Sequence, residues 1–285
     1  MQSDEGINLV DYGDIFCNYI NERKQVLGVT KDFNLYFSQA TMEKTDCGSA
    51  RVFRGINALT KEIAPKGISA RGGGNSESEI YVSVDISGSY NSQIGQYNQV
   101  LSSIEKRKII IKLLFTIEHE LGHDEQKRDL NNPTPTPEMI RLAKSMAFID
   151  FWKEAGVFRC AYPIVNGVEV DPKYMYQNAH EYLFVEQDAN NRAFEAVSTF
   201  LKSNGAAWLL GELINYYDSK KPNNDRVFEA SFLDYDSNSK KIFRGNIDEL
   251  VDYTINYYMG FTDITEKYQI LKSVLYDSSN IRQFN

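Results

Sequence analysis

The residues with the most chemical reach are His119, Glu120 and His123, in the pentapeptide His119-Glu120-Leu121-Gly122-His123. This stretch fits the HExxH pattern, in which one helical turn offers two imidazoles to a zinc ion and a carboxylate to a nearby water. Positions i and i+4 of a helix share a face, so each ring can give one nitrogen to a single Zn2+. Glu120 is then placed as the catalytic general base. The chain has 3 histidines, and two of them stand here. The chemistry implied is hydrolysis assisted by one Zn2+ ion.

A catalytic zinc site usually has three protein ligands and one open position, so a further donor is needed. Glu186 is the first candidate, in Glu186-Gln187-Asp188-Ala189-Asn190. Glu186 and Asn190 share a helix face, so the carboxylate can bind metal while the amide hydrogen-bonds a ligand imidazole. Asp129 is the second candidate, six residues past His123, but Gln126 stands where a sharp turn back toward the metal calls for glycine. His180 is the third. It lies about 240 degrees from Glu186 on an ideal helix, so both reach one metal only if that helix breaks between them. His180 is also a candidate donor to the transition state, together with Tyr174, Tyr176 and Tyr182.

The two motifs, HExGH at 119–123 and ExxAN at 186–190, resemble those of the zincin metallopeptidases of gluzincin type. Soluble relatives of the CaaX prenyl proteases and ImmA/IrrE-type peptidases are the similar groups. The resemblance implies a zincin-like fold, zinc-dependent peptide hydrolysis, and Glu186 as third ligand. Asn190 falls where many members carry an Asp that contacts a ligand. The interval between the motifs suits the prenyl-protease relatives better. The resemblance covers only these two motifs, so it speaks to the chemistry and not to the substrate.

The expected function is therefore a zinc metallopeptidase acting on a peptide or protein, with housekeeping, regulatory and toxin-like roles equally open. The alternative is a non-catalytic zincin-fold protein that recognises a partner through its cleft, against which the intact Glu120 speaks.

Positioning these groups requires a rigid helix. Ser102 and Glu105 form a capping box that starts one running through Ile109, Leu113 and Ile117 into the motif, apolar nearly all round and hence buried. Gly122 costs that helix about 1 kcal/mol relative to Ala, which close approach of a neighbouring element would explain. Upstream, Ile7–Leu27 has helical spacing, and Phe33, Leu35 and Phe37 alternate as in a strand. Glu79–Ile86 alternates more clearly and is a candidate edge for an extended peptide. Arg71–Ser78, with three glycines, reads as a loop.

Residues 131–137 read as irregular, with Thr136 and Pro137 opening the next helix. Asn166-Gly167 carries a hairpin signature, and Asp171-Pro172 opens a helical region to about Phe200. Ala206–Tyr217, Ile247–Met259 and Ile264–Tyr276 also show helical spacing. The expected fold is α+β: a small mixed sheet with the buried active-site helix in an upper lobe, 1–129, and a mainly helical lower lobe, 130–285, within one domain.

The 285 residues carry a net charge of −8 and no sustained basic run, which argues against nucleic acid as a partner. The longest apolar stretch, Ile109–Ile117, is interrupted by Lys112 and too short to span a bilayer. The acidic start MQSDEGINLV does not read as an export signal, so a cytoplasmic location is expected. Cys17, Cys47 and Cys160 are odd in number and widely spaced, which fits reduced thiols. Oligomeric state is not legible.

Overall fold

The computed structural model describes residues 13–28, 32–38, 43–47, 50–55, 69–76, 79–85, 90–91, 96–97, 103–130, 136–234 and 237–261. The amino-terminal decapeptide, the start of the Ile7–Leu27 helix, Ile86, Ser102 of the capping box, residues 131–135 and the Ile264–Tyr276 helix lie outside them. The chain forms two compact units. One comprises residues 1–125 and 189–219, the other 126–188 and 220–285. The grouping differs from a single cut after Asp129, because residues 189–219 return to the amino-terminal unit.

The first unit begins with α1 (Gly13–Leu27). It continues with β1 (Asp32–Ser38), β2 (Glu43–Cys47), β3 (Ala50–Gly55), β4 (Ser69–Ser76) and β5 (Glu79–Asp85) in one mixed sheet of order β2-β3-β1-β5-β4. β1 runs parallel to both β3 and β5, with Leu35 opposite Val52 and Val82. Two expectations change here. Residues 71–76 are strand, because β4 takes an outer position, where a glycine-rich segment is tolerated with a register shift between Gly73 and Ser76. β5 is flanked on both sides by β1 and β4, so it offers no edge to an added peptide. A short ribbon, β6 (Tyr90–Asn91) with β7 (Gln96–Tyr97), follows.

The metal-motif helix, α2 (Ser103–Asp129), is continuous over 27 residues. Ile111, Leu113, Leu114, Phe115, Ile117 and Leu121 are all buried, on several sides of the helix. They form this unit's core with Tyr19 and Ile20 of α1, and with Ala193, Val197 and Leu201 from α5 (Phe184–Ser203). Leu213 of α6 (Leu210–Asp218) closes it. Burying this many branched side chains, at about 1.5–3 kcal/mol each, fixes the helix before any ligand is considered.

The second unit contains α3 (Pro137–Phe158), which starts as its sequence predicts. Thr136 is the N-cap, accepting from the Met139 backbone N–H at 3.2 Å, and Pro137 occupies the first turn. β8 (Ala161–Val165) and β9 (Val168–Glu169) turn through Asn166 and Gly167, both at positive φ (52° and 77°), as an Asn-Gly hairpin requires. α4 (Lys173–Ala179) leads into a 3-10 turn, His180–Tyr182.

The segment after 219 is not wholly helical. β10 (Phe228–Asp234) and β11 (Ser239–Gly245) join β8 and β9 in a four-stranded antiparallel sheet of order β11-β10-β8-β9. Phe228, Ala230 and Phe232 are buried, and the latter two stand opposite Pro163 and Ala161 of β8. Phe151 and Trp152 of α3 pack on Phe232, and Tyr257 and Tyr258 of α7 (Ile247–Phe261) pack on Phe151. The fold is α+β, and among the described residues no helix is long and apolar enough to cross a membrane.

Candidate metal centre

Helix α2 presents His119 and His123 one turn apart, with their Nε2 atoms 3.1 Å from each other. Their rings stand edge to face, with centroids at 4.6 Å and an 85° interplanar angle. Asn190 of α5 places its Oδ1 2.9 Å from His119 Nδ1. An amide oxygen only accepts, so Nδ1 carries the proton and Nε2 of His119 is the unprotonated nitrogen. The interaction thus fixes both the tautomer and the ring direction.

Glu186 lies one turn before Asn190 on the same helix and is buried at 7% exposure. His119, His123 and Glu186 each offer a ligand atom, and these atoms lie within 4.8 Å of one another. Two nitrogens held at about 2.0–2.1 Å by one tetrahedral zinc stand about 3.3 Å apart, close to the spacing of the two Nε2 atoms. Two imidazoles and one carboxylate also match zinc in donor type. The residues fit a single such ion. Glu120, between the two histidines, is buried at 8% exposure.

Several contacts hold these groups in place. The backbone of α2 approaches α5 at Gly122, where an added Cβ would lie 3.6 Å from Ala189 Cα. Gln126, fully buried, donates from Nε2 to the Val185 carbonyl and to Asp188 Oδ2, both at 2.8 Å. It therefore grips the residues on either side of Glu186. In the sequence alone Gln126 stands out only as the residue in place of a turn glycine. A buried amide in an apolar helix is the signal that it bonds a neighbouring element.

One residue before His119 on α2, the buried Glu118 accepts from Tyr19 Oη at 2.5 Å and from Arg23 Nε at 2.6 Å and Nη2 at 2.9 Å. Burial and the adjacent Glu118 carboxylate push the Tyr19 phenol far above its ordinary range. The hydrogen bond to Glu118 likewise raises Arg23. This three-residue clamp fixes α2 one residue before His119.

Asp129 is not in the group. Helix α2 runs unbroken through Gln126, so Asp129 stays on another face, six residues beyond His123. His180 lies outside the three-donor group, yet it contacts a member: its Nε2 is 3.1 Å from Glu186 Oε1. The condition set by the sequence, a break between positions 180 and 186, is met at Leu183, whose backbone is extended (φ −68°, ψ 142°).

Among the tyrosines, Tyr176 packs edge-on against the His180 ring at 5.4 Å. Tyr182 is buried and receives a hydrogen bond from Arg226. Tyr174 is partly exposed beside a separate cavity.

No protein-family model, curated protein or solved structure matches this chain at a significant level. The functional reading therefore rests on the geometry and chemistry of its own residues.

Proposed function

We propose that the chain is a zinc-dependent metallopeptidase of zincin-like fold, related in mechanism to the gluzincins, that hydrolyses a peptide or protein substrate. The observation that carries this reading is the convergence of His119, His123 and Glu186, with Asn190 orienting the first imidazole. His119 and His123 would hold the ion through Nε2 and Glu186 through a carboxylate oxygen. When bound, zinc supplies Lewis acidity toward a carbonyl and makes water more acidic.

The remaining work falls to the protein. Glu120 takes a proton from the attacking water and returns it to the leaving amine, as a carboxylate whose helix position puts it beside the histidines can do. Its burial keeps the carboxylate largely out of bulk water. The buried, unpaired Cys160 supports a reducing, cytoplasmic setting.

The test is elemental analysis of the purified protein, followed by peptide-library hydrolysis with and without a chelator. One equivalent of zinc and chelator-sensitive cleavage are expected. Glu120→Gln should keep the metal and lower the hydrolysis rate by about 10²–10⁴-fold. Full metal loading with no cleavage of any library member overturns the peptidase reading and leaves a metal-bearing binding protein.

A further inference from the structure

A second feature, within the 126–188 and 220–285 unit, concerns a cavity of about 270 Å³ to which α4, the β8–β9 hairpin and β10 all contribute. Its chemistry centres on Arg226. The guanidinium packs against two aromatic rings that themselves meet edge to face, their centres 5.4 Å apart, with its carbon 5.1 Å from the Tyr182 ring centre and 5.0 Å from that of Phe228. Its hydrogen bonds are long and go to neutral acceptors: Nη1 to Tyr182 Oη and Nη2 to Asn178 Oδ1, both at 3.4 Å. Among the described residues no carboxylate pairs with it.

Such a fork is restrained by its two ring contacts and under-used by its neighbours. A carboxylate could accept two shorter, charge-assisted hydrogen bonds from it. The other arginine of the cavity, Arg244, is already paired, its Nε 3.0 Å from Glu229 Oε1. The wall therefore carries one uncompensated positive charge beside one compensated pair. That balance suits a monoanion, whereas a phosphate dianion would meet the Glu229 carboxylate without a second free cation. Ile164, Met175 and Phe228 give the cavity apolar surface for a short hydrocarbon stem, and its volume suits one side chain or a small acid.

We propose that this cavity is a carboxylate-binding site in which Arg226, packed against the Tyr182 and Phe228 rings, grips a monoanionic carboxylate on a short aliphatic stem. The site does not depend on the metal centre and stands or falls separately from it. The carboxylate comes either from an acidic side chain of a peptide or from a free short-chain acid.

The test is titration of the full chain, followed by NMR or calorimetry, with four probes: N-acetyl-glutamate N-methylamide, butyrate, the glutamine analogue of the first, and inorganic phosphate. At least one carboxylate probe should bind, about tenfold or more tighter than both the neutral glutamine analogue and phosphate. The tighter of the two carboxylates identifies the source. Arg226→Gln should weaken that binding by about tenfold or more.

Because Arg226 also packs on two rings, Glu229→Gln serves as the second variant. It removes the opposing charge and releases Arg244 without touching Arg226, so carboxylate binding should tighten several-fold. Absence of carboxylate binding up to roughly 10 mM overturns the proposal. So does equal binding of the glutamine analogue or phosphate, or a Glu229→Gln protein that binds carboxylate no better than the parent.

Discussion

His180 Nε2 and Glu186 Oε1 stand 3.1 Å apart, although the two residues are six positions apart in sequence and would diverge on an unbroken helix. The extended backbone at Leu183 separates the 3-10 turn from α5 and swings the imidazole over the carboxylate. The His180 side chain is 41% exposed, while that of Glu186 is 10% exposed. The ring therefore restrains a buried oxygen from the solvent side. A positioning role for this ring predicts that His180→Ala lowers metal affinity by about tenfold, measured by competition with a chelator of known affinity. The fold should survive, because an exposed ring contributes little packing. A transition-state donor would behave otherwise, lowering kcat while metal affinity stayed constant.

The parts of this site that were readable in the sequence are those set by helical periodicity. His119, Glu120 and His123 follow from one turn of helix, and Glu186 with Asn190 from the i, i+4 rule applied to a second. The His180 contact was not readable, because it depends on a break at Leu183 that neither glycine nor proline announces. The part played by Gln126 is hidden for a related reason: it bonds the Val185 carbonyl and Asp188, which only the tertiary fold brings to it.

The same division holds for the fold. Thr136-Pro137 and Asn166-Gly167 act through local backbone chemistry and appear where the sequence puts them. β4 owes its state to pairing with the adjacent β5, and β10 to pairing with β11 and the distant β8, which overrides the loop-forming tendency of glycine and the weak pattern around Phe228.

Asn190 offers a cleaner measure of imidazole orientation than the histidines themselves. Its amide accepts from His119 Nδ1 at 2.9 Å, and removing it frees the ring to rotate and change tautomer. Asn190→Ala should weaken metal binding by about 10–100-fold with little change in stability. Asn190→Asp, which keeps an acceptor oxygen at the same reach, should restore most of it. Metal titration of the two variants side by side checks this, and equal weakening in both would count against the orienting role.

Gly122 tests how close the helices are. An added Cβ would meet Ala189 Cα and Arg192 Cδ at 3.6 Å, ordinary van der Waals contact, with no left-handed backbone to strain. Gly122→Ala should therefore stabilise the protein by up to about 1 kcal/mol, the difference in helix propensity. Gly122→Leu reaches past the space available and should cost about 1–3 kcal/mol through overpacking. Denaturant unfolding of the pair gives the sign directly, and destabilisation by Ala would mean that the approach is tighter than described.

Cys160 gives the pH dependence. Its thiol is 1% exposed, and burial pushes it up to about 11 from an ordinary value of 9.0, outweighing its hydrogen bonds, which act in the lowering direction. The unfolded chain thus releases this proton at lower pH than the folded one. Between about pH 9 and pH 11 the native state holds more protons, so stability falls as pH rises. Below that window the contribution is fully present and independent of pH. Because the reactive species is the thiolate, alkylation at Cys160 at pH 8 should be slow and should track global unfolding, as followed by peptide mapping. Cys160→Ala, which cannot ionise, should flatten the alkaline loss between pH 9 and 11. An unchanged slope in that variant would assign the alkaline instability to other groups.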